Sequence, residues 1–82
     1  MDKSELVNNL DKLHTTDLGI VRIKKNLNID VIDVVDWCRE KIKDENAVIM
    51  RKGKNWYIHR DNCQITVNAY SYTIITAHRV KG

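Results

Sequence analysis

Proline is absent from this chain of 82 residues, and only three positions are glycine. Breaks between secondary-structure elements must therefore come from these few glycines and from Asn, Asp and Ser. With so little glycine, the sequence has no glycine-rich loop of the kind that holds nucleotide phosphates. It also lacks a Gly-x-Ser-x-Gly motif, which argues against the familiar nucleophilic hydrolases.

Cysteine is also scarce. Cys38 and Cys63 each lie in an apolar pattern, without a second cysteine or a histidine at metal-ligand spacing. We expect two reduced, buried thiols, no zinc site and no cofactor. Apolar runs are only a few residues long, and the N-terminus does not resemble a signal peptide. We therefore expect a cytoplasmic protein without a membrane segment.

Charge is divided unequally along a chain that is long enough for one domain and too short for two. Residues 1–46 contain eight Lys or Arg and ten Asp or Glu, a net charge of −2. Residues 47–82 contain six Lys or Arg and one acid, Asp61, a net charge of +5. The basic half favours a polyanionic partner, and the alternative is charge complementarity between the two halves.

Apolar spacing predicts three helices in the N-terminal half. In the first, about 4–13, leucines recur at i, i+4 and i+7. The second follows the capping residue Thr16. The third, about 31–43, follows Asp30, which precedes Asp33 by three residues in a capping arrangement.

From residue 47 onward the pattern has a period of two, which is typical of strands. We predict strands at 47–51, 55–59, 63–68 and 72–80. Their short connections indicate hairpins between successive strands. The predicted fold class is therefore α+β, with N-terminal helices (about 1–46) packed on one face of a four-stranded antiparallel β-meander (about 47–82).

Strand alternation separates an apolar sheet face from a polar one. In the fourth strand, this alternation places Ile75 on the same face as Ala77 and places Ile74 on the opposite face. The polar face then carries these side chains: Tyr57, His59, Gln64, Thr66, Asn68, Tyr72, Thr76 and His78. Such a face is also usual on any antiparallel sheet that is covered on one side.

Much of the chain resembles an uncharacterised family of short bacterial proteins, a domain of unknown function. The strings RKGKNWY and CQITVNAYSYTIITAHRVK resemble its sheet half, and HTTDLGIVRIKKNL and DVVDWCREKI its helical half. The resemblance covers about residues 10–79 and implies no known activity.

A second resemblance is to the metal-independent ribonucleases of the barnase, EndoU, colicin and RelE group. Helices followed by four antiparallel strands, the last of the form Ile-x-Thr-Ala-His, are similar to that group. The resemblance implies that Thr76 and His78 lie in the reaction cleft. An early helical histidine followed by an arginine also recurs there, which implies roles for His14 and Arg22.

The sequence therefore predicts an RNA-directed protein, with a ribose 2′-hydroxyl attacking the adjacent phosphate. The catalytic candidates are His78, Thr76, His14 and Arg22, with His59 as an alternative to His14. The substrate-binding candidates are Arg51, Lys52, Lys54, Tyr57, His59, Asn68, Tyr72 and Arg79. Arginines of these two sets, Arg22, Arg51 and Arg79, would stabilise the phosphorane charge.

Two other functions remain open. The first is a non-catalytic module that binds a protein partner, as an inhibitor or a mobile-element counter-defence factor does. The partner would be an antitoxin or the target of inhibition. This hypothesis predicts stoichiometric binding without turnover. The second is a small homo-oligomer, for example a homodimer, that buries a sheet edge or an aromatic face.

Overall fold

The computed structural model describes residues 4–80. Helices precede strands along the chain, in the order α1 Ser4–Val7, α2 Asp17–Leu27, α3 Val34–Lys43, β1 Val48–Lys52, β2 Asn55–Arg60, β3 Cys63–Asn68 and β4 Ile74–Arg79. The strands lie in the order β1-β2-β3-β4, and every neighbouring pair is antiparallel. The predicted α+β class, with helices packed on a four-stranded antiparallel meander, is confirmed.

The helix predicted at 4–13 is interrupted. It consists of the single turn α1 and a separate 3-10 turn at Leu10–Lys12. Between them, the side-chain amide of Asn9 donates to the carbonyl oxygen of Glu5 at 2.7 Å and competes with the helical bonding pattern. The leucine spacing still predicts burial correctly, since Leu6, Leu10 and Leu13 all lie in the core.

Side-chain caps begin the two longer helices. The N–H of Gly19 donates to Thr16 Oγ1 at 3.0 Å, as the sequence predicts. The N–H of Asp36 donates to Asp33 Oδ1, also at 3.0 Å. The cap of α3 is therefore Asp33 rather than Asp30, and α3 begins at Val34 instead of residue 31.

The last strand begins at Ile74, not at Tyr72 as predicted. Tyr72 lies in the β3–β4 connection, where it is buried and has a φ of 60°. Its carbonyl oxygen accepts the N–H of His14 at 3.2 Å, and the N–H of Ile74 donates to the His14 carbonyl oxygen at 2.7 Å. His14 thereby forms a parallel bridge with Thr73 at the outer edge of the sheet.

A β-bulge interrupts the alternation in β4. The register with β3 shifts by one residue beyond Thr76, so Ile75 is an extra residue without a partner in the ladder. Ile74 and Ala77 consequently both face the core, at 1% and 0% exposure, whereas Ile75 is 44% exposed. The prediction that Ile75 shares a face with Ala77 is wrong, because the bulge adds one residue to the period of two.

The helices cover one face of the sheet, with α2 against β4 and α3 against β2. The side chains buried between these layers include Leu6, Ile23, Leu27, Cys38, Ile42, Trp56, Ile58, Ile65, Val67 and Ile74. Cys38 and Cys63 are free, buried thiols, as predicted. Burial raises the pKa of Cys38 to about 12, so this thiol is unreactive at neutral pH. Within residues 4–80, no helix has the length and apolar character that crossing a membrane requires.

Candidate functional site

The sheet face opposite the helices, which we call the open face, carries two rows of side chains that cross all four strands. The histidine row consists of Val48, His59, Gln64 and His78. The threonine row consists of Met50, Tyr57, Thr66 and Thr76. The alternation in β2 and β3 predicted these faces correctly, because no bulge interrupts those two strands.

In the histidine row, the imidazole rings of His59 and His78 flank the side-chain amide of Gln64. His59 Nε2 lies 2.8 Å from Gln64 Oε1. Because an amide oxygen only accepts, Nε2 donates in this contact and Nδ1 is left as an acceptor. His78 is the cross-strand neighbour of Gln64 on its other side. Two strand spacings, about 10 Å, separate the Cα atoms of the two histidines, so a phosphate held between them would lie over the Gln64 side chain.

The threonine row places one aromatic ring, that of Tyr57, beside the histidines. Tyr57 is half-buried between Met50 and Thr66, and its hydroxyl accepts a hydrogen bond from Asn55 Nδ2 at 3.4 Å. Thr66, at the centre of the sheet, is only 6% exposed. The phenol ring of Tyr57 is therefore the surface of this row on which a planar base could stack.

Cations lie at the opposite end of the open face from the histidines. Lys52 and Lys54 are exposed at the β1–β2 hairpin. Lys52 is four residues along β1 from Val48, which is about 13 Å. Neither row contains a carboxylate, and the single acid after residue 46, Asp61, lies in the β2–β3 turn. The open face therefore presents positive charge and no fixed negative charge along its rows.

A cluster of ion pairs occupies the β2–β3 turn beside the histidine row. Arg60 contacts Asp44 at 3.0 Å and Asp61 at 2.8 Å, and Lys41 contacts Asp61 at 2.5 Å. The backbone N–H of Asn46, and then Arg60, lower the pKa of Asp44, whereas Lys41 is the main cause of the lowered pKa of Asp61. The same contact with Asp44 raises the pKa of Arg60. These ion pairs connect the end of α3 to the β2–β3 turn. The Arg60 guanidinium therefore already has two carboxylate partners within the fold.

The four predicted catalytic residues do not all meet. His14 lies at the outer edge of β4, where its ring nitrogens contact a carbonyl oxygen at 2.9 Å and a threonine hydroxyl at 3.1 Å. Its bridge position is five residues from His78 along the strand, about 15 Å. Arg22 is exposed on the side of α2 that faces away from the sheet. The structure thus brings together Thr76, His78 and the alternative partner His59, but neither His14 nor Arg22.

Four predicted binding residues have contacts within the fold. The Arg51 guanidinium lies 5.3 Å from the ring of buried Trp56 and 5.5 Å from the ring of exposed Tyr70. Arg79 Nε donates to the last carbonyl oxygen of α2 at 3.0 Å. Asn68 Oδ1 accepts two backbone N–H groups of the β3–β4 connection, and Tyr72 is buried there. The other four candidates lie on or beside the open face: Lys52, Lys54, Tyr57 and His59.

Sequence reasoning missed three apolar side chains that are exposed on the sheet. Val48, Met50 and Ile75 are 56%, 52% and 44% exposed. The first three residues of β1 are all apolar, so alternation assigns them no face, and only the pairing with β2 does so. The bulge concealed Ile75 in the same way.

Among the described residues, no group of three or more His, Cys, Asp or Glu side chains is placed to hold a metal ion.

A family model described as "Protein of unknown function (DUF3781)" matches residues 7–78. The match spans helices and sheet, and it confirms the resemblance to an uncharacterised family. Neither a search of curated proteins nor one of solved structures gave a match. The similarity to the barnase, EndoU, colicin and RelE group stays a prediction.

Proposed function

We propose a function for this chain, which belongs to the family described as "Protein of unknown function (DUF3781)", from the side chains on its open face. The open face binds single-stranded RNA, and the RNA backbone is cut at the histidine row without a metal ion. The observation that carries this proposal is the alignment of half-buried His59, Gln64 and His78 in one row of the open face.

The distribution of charge and aromatic surface supports RNA as the ligand. Lys52 and Lys54 bind phosphates at the hairpin end, and the rows contain no carboxylate that would repel them. Tyr57 lies between the lysines and the histidine row, where its ring stacks on an unpaired base. A strand of RNA that follows the β-strands from one end to the other meets all of these groups in turn.

The histidine row supplies an acid and a base on either side of a phosphate. One imidazole accepts the proton of the ribose 2′-hydroxyl as its oxygen attacks phosphorus, and the other donates a proton to the departing 5′-oxygen. The P–O2′ bond forms and the P–O5′ bond breaks, leaving a 2′,3′-cyclic phosphate and a 5′-hydroxyl. Gln64 fixes the orientation of the His59 ring. Because Arg22, Arg51 and Arg79 lie away from this row, little positive charge stabilises the phosphorane, and we expect slow cleavage.

Similarity to the barnase, EndoU, colicin and RelE ribonucleases is part of this proposal. The order of helices and strands supports it, as do Thr76 and His78 in the last strand. The positions of His14 and Arg22 do not support it, so His59 takes the role of the second histidine here.

The test uses purified protein, a panel of single- and double-stranded RNA, and excess EDTA. The double variant with Lys52→Gln and Lys54→Gln should bind single-stranded RNA about tenfold more weakly. The slope of log K against log salt concentration should become shallower by about 1, because one to two phosphate contacts are lost. The matched control is Lys43→Gln, which removes a charge from an exposed side chain of α3 and should leave binding unchanged. His78→Ala and His59→Ala should each abolish cleavage while binding and circular dichroism are retained.

Each result separates binding from chemistry. Cleavage that survives His78→Ala would remove the histidine row from the mechanism. Binding without cleavage by the wild-type chain would leave an RNA-binding face and reject the ribonuclease. No RNA binding at all, or binding that depends equally on Lys43, would reject the whole proposal.

A non-catalytic protein-binding module is the second candidate, and the exposed apolar side chains favour it. Val48 and Met50 lie on strand β1, at the edge of the sheet. An extended segment of a partner that pairs with β1 would cover both. This candidate predicts a saturable one-to-one complex that Val48→Gln with Met50→Gln abolishes and that His78→Ala does not affect. If the variant with Val48→Gln and Met50→Gln still formed the complex, the protein-binding candidate would be rejected.

A further inference from the structure

The outward side of α2 carries a stripe of two apolar and two basic side chains, which we call the basic stripe. Leu18 and Val21 are 75% and 64% exposed, and Arg22 and Lys25 are exposed beside them. The four positions follow i, i+3, i+4 and i+7, so they share one side of the helix. Within residues 4–80, neither cation has a carboxylate partner. The stripe is therefore apolar and positively charged at once.

A shallow groove of about 540 Å³ lies where α3 begins, and we call it the acidic groove. Its apolar lining includes Trp37 and Ile32, whose side chain in the α2–α3 connection is fully exposed at 104%. Three carboxylates, Asp33, Asp36 and Glu40, also line it, together with one cation, Lys41, whose Nζ lies 5.2 Å from the centre of the Trp37 ring. The groove therefore combines an exposed isoleucine and a half-buried tryptophan with carboxylates, and apolar surface rimmed by charge is the chemistry of an interaction site.

We infer that the acidic groove binds the basic stripe of a second copy of this chain. The apolar side chains of the stripe pack on Ile32 and Trp37, and its cations pair with Asp36 and Glu40. Both surfaces lie on the helical layer of the molecule, so a two-fold axis lets each copy supply its stripe to the other's groove. Since the helical layer covers the sheet face opposite the open face, this dimer is independent of the proposed RNA binding.

Contacts within α3 leave the groove able to accept new partners. Arg39 pairs with Asp36 at 3.2 Å and Lys43 with Glu40 at 3.6 Å, between neighbouring turns, and the two carboxylates are 59% and 63% exposed. Such pairs stabilise little, so the two carboxylates can bind further cations. The two helices have 11 and 10 residues, or about 15 Å each, which gives a small interface. We expect dissociation constants of roughly 1–100 µM for a contact of this size.

Two charge-reversal variants test the pairing. Arg22→Glu with Lys25→Glu makes both surfaces acidic, and Asp36→Lys with Glu40→Lys makes both basic. Each variant alone should be monomeric by sedimentation equilibrium at concentrations where the wild type is dimeric, with the dissociation constant raised about 100-fold. An equimolar mixture of the two should form a heterodimer, because each copy then offers the surface that the other lacks.

The matched control is Val7→Gln, which alters an exposed apolar side chain of α1 outside both surfaces and should leave the dimer unchanged. The chain with all four reversals restores complementarity and should dimerise again, which decides the question if one variant fails to fold. A wild-type chain that stays monomeric at about 1 mM overturns the inference. So does a dimer that survives both reversals, a mixture that stays monomeric, or assembly beyond the dimer.

Discussion

The bulge in β4 is tested by replacing the two isoleucines that it places on opposite sides. Ile74→Ala removes three carbon groups from a side chain that is 1% exposed. At about 0.8 kcal/mol per group, plus about 0.5–1 kcal/mol for the cavity, the free energy of unfolding should fall by about 3 kcal/mol. Ile75 is 44% exposed. Its replacement by alanine loses roughly half the transfer term and leaves no closed cavity, so about 1 kcal/mol is expected.

Urea and thermal unfolding, followed by the fluorescence of Trp37 and buried Trp56, measure this difference. In a domain of this size, about 3 kcal/mol lowers Tm by roughly 12–24 °C, and about 1 kcal/mol by roughly 4–8 °C. Ile75→Thr keeps the β-branched shape and should be close to neutral, whereas Ile74→Thr buries a hydroxyl and should cost as much as alanine. Equal losses at the two positions, or a larger loss at Ile75, would refute the bulge and restore plain alternation.

Two further predictions concern charge and thiols. Asp61→Asn should lower the free energy of unfolding at pH 7, and its effect should disappear once the pH has fallen below the folded-state pKa of Asp61. Lys41 lowers the folded-state pKa of Asp61 below 3.8, so the stabilisation is present above that value and is lost as the pH falls through the folded-state pKa. Urea unfolding across this range would contradict the reasoning if the variant and the wild type differed by a constant amount. Cys38 and Cys63 should react slowly with a thiol reagent in the native protein at pH 7 and rapidly in urea, and fast native labelling would contradict their burial.

Local patterns were enough to predict the elements and part of the site. The cap at Thr16 and the switch from helical to alternating periodicity depend on residues a few positions apart. His59 and Gln64 are joined by a short hairpin, which sets their register and hence their place side by side on the open face. The side-chain amide of Asn9 divides the first helix at a point where apolar spacing alone predicts no break.

The sequence by itself determined the α+β class, the order of the strands and the faces of β2 and β3, because hydrophobic periodicity and short turns act locally. Only the tertiary structure decided which histidines share a row of the sheet. His14 and Thr73 are 59 positions apart, and their contact holds His14 at the sheet edge, away from His78. The bulge likewise depends on how β4 fits under α2, since Ile74 and Ala77 must both reach the core. Such contacts follow from packing between distant segments, and no spacing within either segment contains them.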